Sequence, residues 1–503
     1  MRNIEELSRF CKEKGFIFPN SEIYGGFAGF FDFGPLGADL KKNIKDNWWK
    51  TFVQDRQDIL GIDGTLITHP KVWQASGHVE NFADIVLTCA KCKYKTRADH
   101  FLEDQLKEHF DGMKARRINE LIESHKLVCP MCKGSWEPAT DFNLMFQTNV
   151  GPAVSKSSTA YLRPETAQLM FTNFKLVFDT SRCKLPFGIA QMGKAFRNEI
   201  SPRDFLFRSR EFDLMEIEFF THPDKANECP YFDGIKKRSI LTLTEQDQHE
   251  NQEPKERTFA EIATLTTRWH VYWISECLQW FLDLGIRKEN LRLRQHKKDE
   301  LAHYAGACFD IEYKFPFGWK EIHGNADRRQ YDLNQHIKIS GKDLSIFDEE
   351  SKQKVVPYVA SEPAQGVDRA FLAFLLDAYN DDKERGNIVL KLHPRLSPIK
   401  VGVFPLVNKL EDKAKEVYEL LRKTFPTQYD RSGSVGRRYA RADELGTPYC
   451  VTIDFESLDD QCVTVRDRDT TGQVRVAIKD LKSTLQALLR QEVQQGVPPQ
   501  RFK

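Results

Sequence analysis

The chain has 503 residues, with 74 basic and 73 acidic side chains and a formal net charge of +1. Its length suggests three or four domains at ~150 residues each, and the charge balance excludes a generally basic nucleic-acid coat while allowing a local basic face. The N-terminal MRNIEELSRFCKEKG is charged and amphipathic rather than signal-like, and no segment approaches the ~18 apolar residues of a membrane span, so a soluble cytoplasmic protein is expected.

In chain order, Gly29 and Gly34 have the spacing of a phosphate-binding P-loop, but Pro35-Leu36 stands where Lys and Ser or Thr are required, so that reading is excluded. Asn43 to Pro70 reads as a long helix followed by a strand. Its Trp48, Trp49 and Phe52 fall at helical spacing, suited to a subunit interface or equally to an internal core. Most of the eleven cysteines are scattered singly. Cys89-Ala-Lys-Cys92 and Cys129-Pro-Met-Cys132 are not. Each short turn brings two sulfurs to one side, and two such pairs suit one tetrahedral structural zinc better than buried thiols or a redox pair. The segment between them, Ala98 to Lys126, reads as helical and would return the second pair to the first.

The stretch GKAFRNEISPRDFLFRSREFDLMEIEFF, Gly193 to Phe220, reads as two strands joined by a turn. With period-two alternation Arg197 and Glu199 share a face, and on the return limb Phe212, Glu216 and Glu218 oppose Met215, Ile217 and Phe219. The polar face is either solvated or holds a ligand. Glu245 to Arg257 is polar enough for an exposed loop. A strand from Val355 then leads through Gly366 into a helix that carries Arg369 in its first turn, a good anion position as readily used for a surface ion pair. His393-Pro394 marks a boundary, after which strands and amphipathic helices alternate in an α/β unit of ~100 residues.

FRNE followed by REF, with VDR opening a late helix, resembles motifs 2 and 3 of the class II aminoacyl-tRNA synthetases. FDFGPLG, YLRPETAQ, KEIHGNADR and GRRYARADELGTPY, in that order, resemble the dimeric glycyl-tRNA synthetases within that class. The resemblance implies an α+β architecture: an antiparallel-sheet catalytic domain over 1–395, with a zinc-binding insertion at 88–140 and a second insertion at about 223–305, and a mixed α/β anticodon-binding domain over 396–503. It implies activation of glycine by ATP with Mg²⁺, transfer of glycine to tRNA(Gly), and a homodimer built on the Asn43–Pro70 region.

By the same resemblance the catalytic set is Arg197 on the α-phosphate of ATP, Glu199 on the adenine or amine side, and Arg369 on the γ-phosphate. Phe212 would stack on adenine and Glu321 also contact ATP. Asp310 and Glu321 both suit magnesium, with nothing to choose between them. Glu165, Glu321, Glu362 and Arg163 would line the glycine pocket, where Ala364 replaces a serine common in the family. Arg437, Arg438 and Arg441 would contact tRNA. A non-catalytic RNA- or DNA-binding homologue is disfavoured by the motif residues, and a histidine, threonine or proline enzyme by RPETAQ and EIHGNADR.

Overall fold

The computed structural model describes residues 3–106, 113–152, 158–302 and 304–490. The expected hairpin is present: Phe187–Phe196 pairs antiparallel with Glu211–Thr221, with Ala195 opposite Phe212 and Gln191 opposite Glu216. It lies in a nine-stranded sheet whose order is Lys255–Thr258, Ser239–Leu243, Leu291–Gln295, Ala307–Phe315, Gly318–Asp327, Tyr358–Gly366, Glu211–Thr221, Phe187–Phe196 and Ile59–Ile62. Neighbours are antiparallel except at Ile59–Ile62 beside Phe187–Phe196 and at Ser239–Leu243 beside Leu291–Gln295.

The alternation of the hairpin sets the layers. Met215, Ile217 and Phe219 face a core shared with Trp269 and Trp273 of the helix Arg268–Asp283 and with Phe371 and Phe374 of the helix Val367–Ala378. On the opposite face, Phe220, Phe187 and Ile189 lie beneath the helix Ala167–Ser181. Farther along that face come Glu218, Glu216 and finally Phe212, where the sheet opens to a cleft. The two glutamates are buried, at 0% and 3% exposure, so the polar face of the hairpin is an interior rather than a solvated one.

The helix Pro35–Trp49 starts earlier than its apolar pattern suggested. Pro35 stands at its first turn, where a missing N–H costs nothing, and a wide turn continues to Gln54. Trp48 and Phe52 are buried within the single chain, with the Phe52 ring 6.3 Å from Trp273 and 6.4 Å from Trp280. For these two side chains the internal core is the option realised.

Glu245 to Arg257 is not a loop. Thr244 and Asp247 form a reciprocal cap for the helix Glu245–His249, Arg257 binds Asp247, and Lys255–Thr258 becomes the edge strand of the main sheet. Its polarity reflects one exposed edge. The surrounding 223–305 segment, expected as an insertion, extends the main sheet and supplies the tryptophan helix of its core.

The cysteine pairs lie in a small module. Ala83–Thr88, Lys95–Arg97 and Thr140–Asn143 form a three-stranded sheet, covered by the helices Ala98–Leu106 and Ala115–Ser124 around Leu87, Phe101, Leu102 and Ile118. The expected helix between the pairs is thus two helices, and residues 107–112 of that stretch lie outside the described residues.

After the boundary at His393, five strands in the order Thr427–Tyr429, Val401–Pro405, Tyr449–Ile453, Cys462–Asp467 and Gln473–Ala477 form a mixed sheet with its own core. The first three are mutually parallel and the rest antiparallel. The stretch leading into it is held from both sides: Asn43 donates to the Leu396 and Ser397 carbonyls, and Arg468 of the C-terminal unit donates to the Leu392 carbonyl. Arg385 reaches the Arg468 and Asp469 carbonyls. Among the described residues no helix is long and apolar enough to cross a membrane.

Candidate active site

The open end of the polar face is a cleft lined by Arg197, Glu199, Phe207, Arg208, Phe212, Glu216, Glu321, Ala364, Gly366, Asp368 and Arg369. Three neighbouring elements converge there: the hairpin, the strand Gly318–Asp327, and the turn from Tyr358–Gly366 into the helix Val367–Ala378. Lys41 braces them. Its ammonium lies 2.6 Å from Asp213 on the hairpin and 2.7 Å from Asp368 in the first helical turn, so the residues beside these two, Phe212 and Arg369, are held in register.

Arg197 donates through Nε to the Pro164 carbonyl and lies 5.4 Å from the Phe212 ring, with the rest of its fork on the cleft. Arg369 packs over Phe207 at 4.5 Å and pairs with Glu321 at 2.9 Å. Burial opposes the charge of Glu321, but Arg369 outweighs it and holds the carboxyl below its usual range. Arg210 donates twice to the Glu199 carbonyl, at 2.9 and 2.7 Å, which fixes the turn after Arg197. Two cations and an aromatic ring on a concave wall are suited to a polyanion carrying a planar ring.

Five expected residues therefore share the cleft: Arg197, Glu199, Phe212, Glu321 and Arg369. Glu165 and Glu362 do not line it. Glu165 is 3.2 Å from His78 and accepts from Gln168, and Glu362 accepts from Arg328 at 2.5 Å. Both are near enough to Glu216 for their charges to act on one another, and the Glu216 carboxylate accepts from the Thr166 N–H and hydroxyl. Burial and the neighbouring Glu165 raise the Glu216 pKa, and burial pushes Glu362 up to about 8 against the pull of Arg328. Arg163 is spent on backbone, donating to the Lys194 and Gly64 carbonyls at 1% exposure, and is no part of the lining.

Sequence reasoning passed over Glu216 and Arg208 as site residues. Period two from Phe212 already pointed Glu216 into the cleft. Nothing in the local pattern marked Arg208. Of the two acidic candidates for magnesium, Asp310 is turned to His296 at 2.7 Å and lies outside the lining, whereas Glu321 opens on the cleft.

In the cysteine module the Sγ atoms of Cys89, Cys92, Cys129 and Cys132 lie within 4.8 Å of one another, with Cys89–Cys132 at 3.5 Å and Cys92–Cys129 at 3.7 Å. Four sulfurs bound tetrahedrally to zinc at ~2.3 Å stand roughly 3.8 Å apart, so the donor set fits that ion. The two turns repeat one geometry: Lys93 and Lys133 are left-handed, and their N–H groups donate to the Cys89 and Cys129 carbonyls.

In the C-terminal unit, Arg437 and Arg441 are exposed on the helix Val435–Glu444, Arg441 pairing with Asp430. Arg438 departs from expectation. It is 2% exposed and donates to the Pro405, Leu406 and Asp430 carbonyls, tying the helix to the end of the Val401–Pro405 strand.

Residues 400–488 match a family model described as an anticodon binding domain. The whole chain is similar to the glycine–tRNA ligase of Caldanaerobacter subterraneus subsp. tengcongensis, with 44% identity over 97% of this chain and 98% of that protein. It is 45% identical to those of Acetivibrio thermocellus and Geobacillus thermodenitrificans, in each case over 96% of this chain and 97% of the relative. With that identity over nearly the full length of both proteins, the chain belongs to the glycine–tRNA ligase family.

Proposed function

We propose that the chain activates glycine with ATP and transfers it to the 3′ end of tRNA(Gly). The observation that carries this reading is the convergence of Arg197, Arg369, Phe212 and Glu321 on one cleft. In the first step a carboxylate oxygen of glycine attacks the α-phosphorus and pyrophosphate leaves, giving glycyl-adenylate. Arg197 stabilises charge at the α-phosphate, Arg369 holds the γ-phosphate, and Phe212 stacks on adenine, with Glu199 at the adenine edge. In the second step a terminal ribose hydroxyl of the tRNA attacks the activated carbonyl and AMP leaves. Magnesium supplies charge neutralisation along the phosphates when bound, and Glu321 is the side chain suited to hold it.

Glycine offers an ammonium and no side chain. Glu216 at the cleft, backed by Glu165 and Glu362, supports a carboxylate-lined pocket for that ammonium. Ala364 lies across the strands from both Glu216 and Gly324, and the proposed pocket excludes a substrate methyl group. ATP–pyrophosphate exchange with a panel of amino acids tests the reading. Exchange should depend on glycine and be weak with alanine or serine; equal rates with alanine would remove the small-pocket assignment.

The remaining assignments share this footing. The catalytic domain is taken as 1–395, with 88–140 as its zinc-binding insertion, and the tRNA-reading domain as 396–503. Arg437 and Arg441 are the arginines proposed for tRNA contact, since Arg438 is engaged internally. The enzyme is proposed to work in the cytoplasm as a homodimer. One structural zinc per chain is expected on Cys89, Cys92, Cys129 and Cys132, and elemental analysis should show it lost in Cys132→Ser.

A further inference from the structure

Arg208 stands on the cleft wall in poor electrostatic company. Burial disfavours its charge, and Arg97, Arg203 and Arg369 all add to the repulsion, with Glu199 the carboxylate that opposes them. That carboxylate is 3.8 Å away, longer than a hydrogen bond, and its buried Oε2 has no bonded partner. A guanidinium so placed needs an acceptor to stay on the wall.

The cysteine module supplies it. His100, in the first turn of the helix Ala98–Leu106, is 8% exposed and brings its Nε2 to 3.2 Å from the Arg208 fork, across 108 residues of sequence. Its backbone is anchored within the module. The His100 backbone N–H donates to Asp99 at 2.7 Å, Arg97 grips Asp99 through both carboxylate oxygens, and Arg97 also reaches Asp84 at 3.0 Å. Burial, against the pull of Asp99 and with the help of the nearby arginines, lowers the His100 pKa to about 3. The ring is therefore neutral and presents a lone pair to Arg208, where a protonated ring would repel it.

We propose that His100 is a positioning residue for nucleotide binding: through it the cysteine-bearing module holds Arg208, and with it Glu199, on the wall of the cleft. The inference rests on the reading of the cleft as an ATP site. It gives the module a part in adenylation that none of its cysteines performs directly.

The test is glycine-dependent ATP–pyrophosphate exchange by the full-length chain and by His100→Leu, His100→Gln and Arg208→Met, with zinc content and melting temperature measured for each. His100→Leu keeps bulk and removes the acceptor. It should raise KM for ATP about tenfold, the size of a missing hydrogen bond to a charged group, while KM for glycine moves less than about twofold and zinc is retained. His100→Gln, with an amide oxygen at similar reach, should bring KM for ATP back to within about threefold of the unaltered chain. An unchanged KM for ATP in His100→Leu would overturn the proposal, as would both KM values rising together with loss of zinc. Should His100→Leu fail to fold, Arg208→Met decides: the proposal requires the same rise in KM for ATP, and an unchanged value refutes it. Absence of glycine-dependent exchange in the unaltered chain would instead remove the nucleotide reading of the cleft, and this inference with it.

Discussion

In the cleft, Arg197 gives one hydrogen bond to a backbone carbonyl among the described residues and turns the rest of its fork to the cavity. In the C-terminal unit, Arg438 donates to four carbonyls, Arg466 grips Asp443 with two bonds at 2.8 and 3.0 Å, and Arg468 bridges the Gly446 and Leu392 carbonyls. The first kind keeps donors in reserve for a ligand. The second has none to spare and acts as a cross-link. Arg163 shows that the division does not follow domains, since it lies in the catalytic part yet is spent entirely on backbone. Residue type and motif membership do not separate these two uses; the partners of the fork do.

Substitution at the reserve arginine should give the largest effect. Arg197→Ala should lower the exchange rate about 10²–10³-fold, as for loss of a donor to developing charge, with the melting temperature nearly unchanged. A folded Arg197→Ala protein with normal exchange would erase the distinction. Arg438→Ala should do the reverse. It leaves the buried Pro405 carbonyl without that donor, at a cost of ~2 kcal/mol, and should lower the melting temperature by a few degrees while exchange continues at its usual rate. Thermal denaturation and exchange on the same preparation separate the two outcomes.

The exposed pair sharpens the comparison within one helix. Arg437→Ala with Arg441→Ala should weaken tRNA binding several-fold and reduce its salt slope by about two units, one for each phosphate that no longer meets a guanidinium. A binding titration across salt concentrations reads the slope, and an unchanged slope would return both to ordinary surface positions. The smallest effect is expected at Ala364→Ser. A hydroxyl placed across from Glu216 should lower KM for glycine about two- to threefold, measured by exchange at saturating ATP.

The hairpin and the C-terminal alternation were legible in the sequence because period two and turn residues act locally. So was the cysteine site, whose spacing is its geometry. Glu245–His249 was legible in principle: Thr244 and Asp247 have capping-box spacing, and the polar composition of the stretch obscured it. The burial of Glu216 and Glu218 was not, since period two assigns a face without saying what covers it. Nor was the fate of Arg163 or Arg438, because a guanidinium is committed or free according to carbonyls brought close only by the finished fold. His100 and Arg208 are the extreme case, two side chains whose relation exists only once the cysteine module has docked.

The pinned stretch from Leu392 to Ser397 bears on how a ligand touching both parts of the chain is bound. Asn43 on one side and Arg468 on the other take up its carbonyls, so its chain freedom is already lost within the protein. A connector of this kind behaves as a ruler, not a leash. A stiff ligand gripped at the C-terminal unit meets the cleft at a set separation, and its second point of attachment carries little of the ordering entropy that a loose tether would charge to binding.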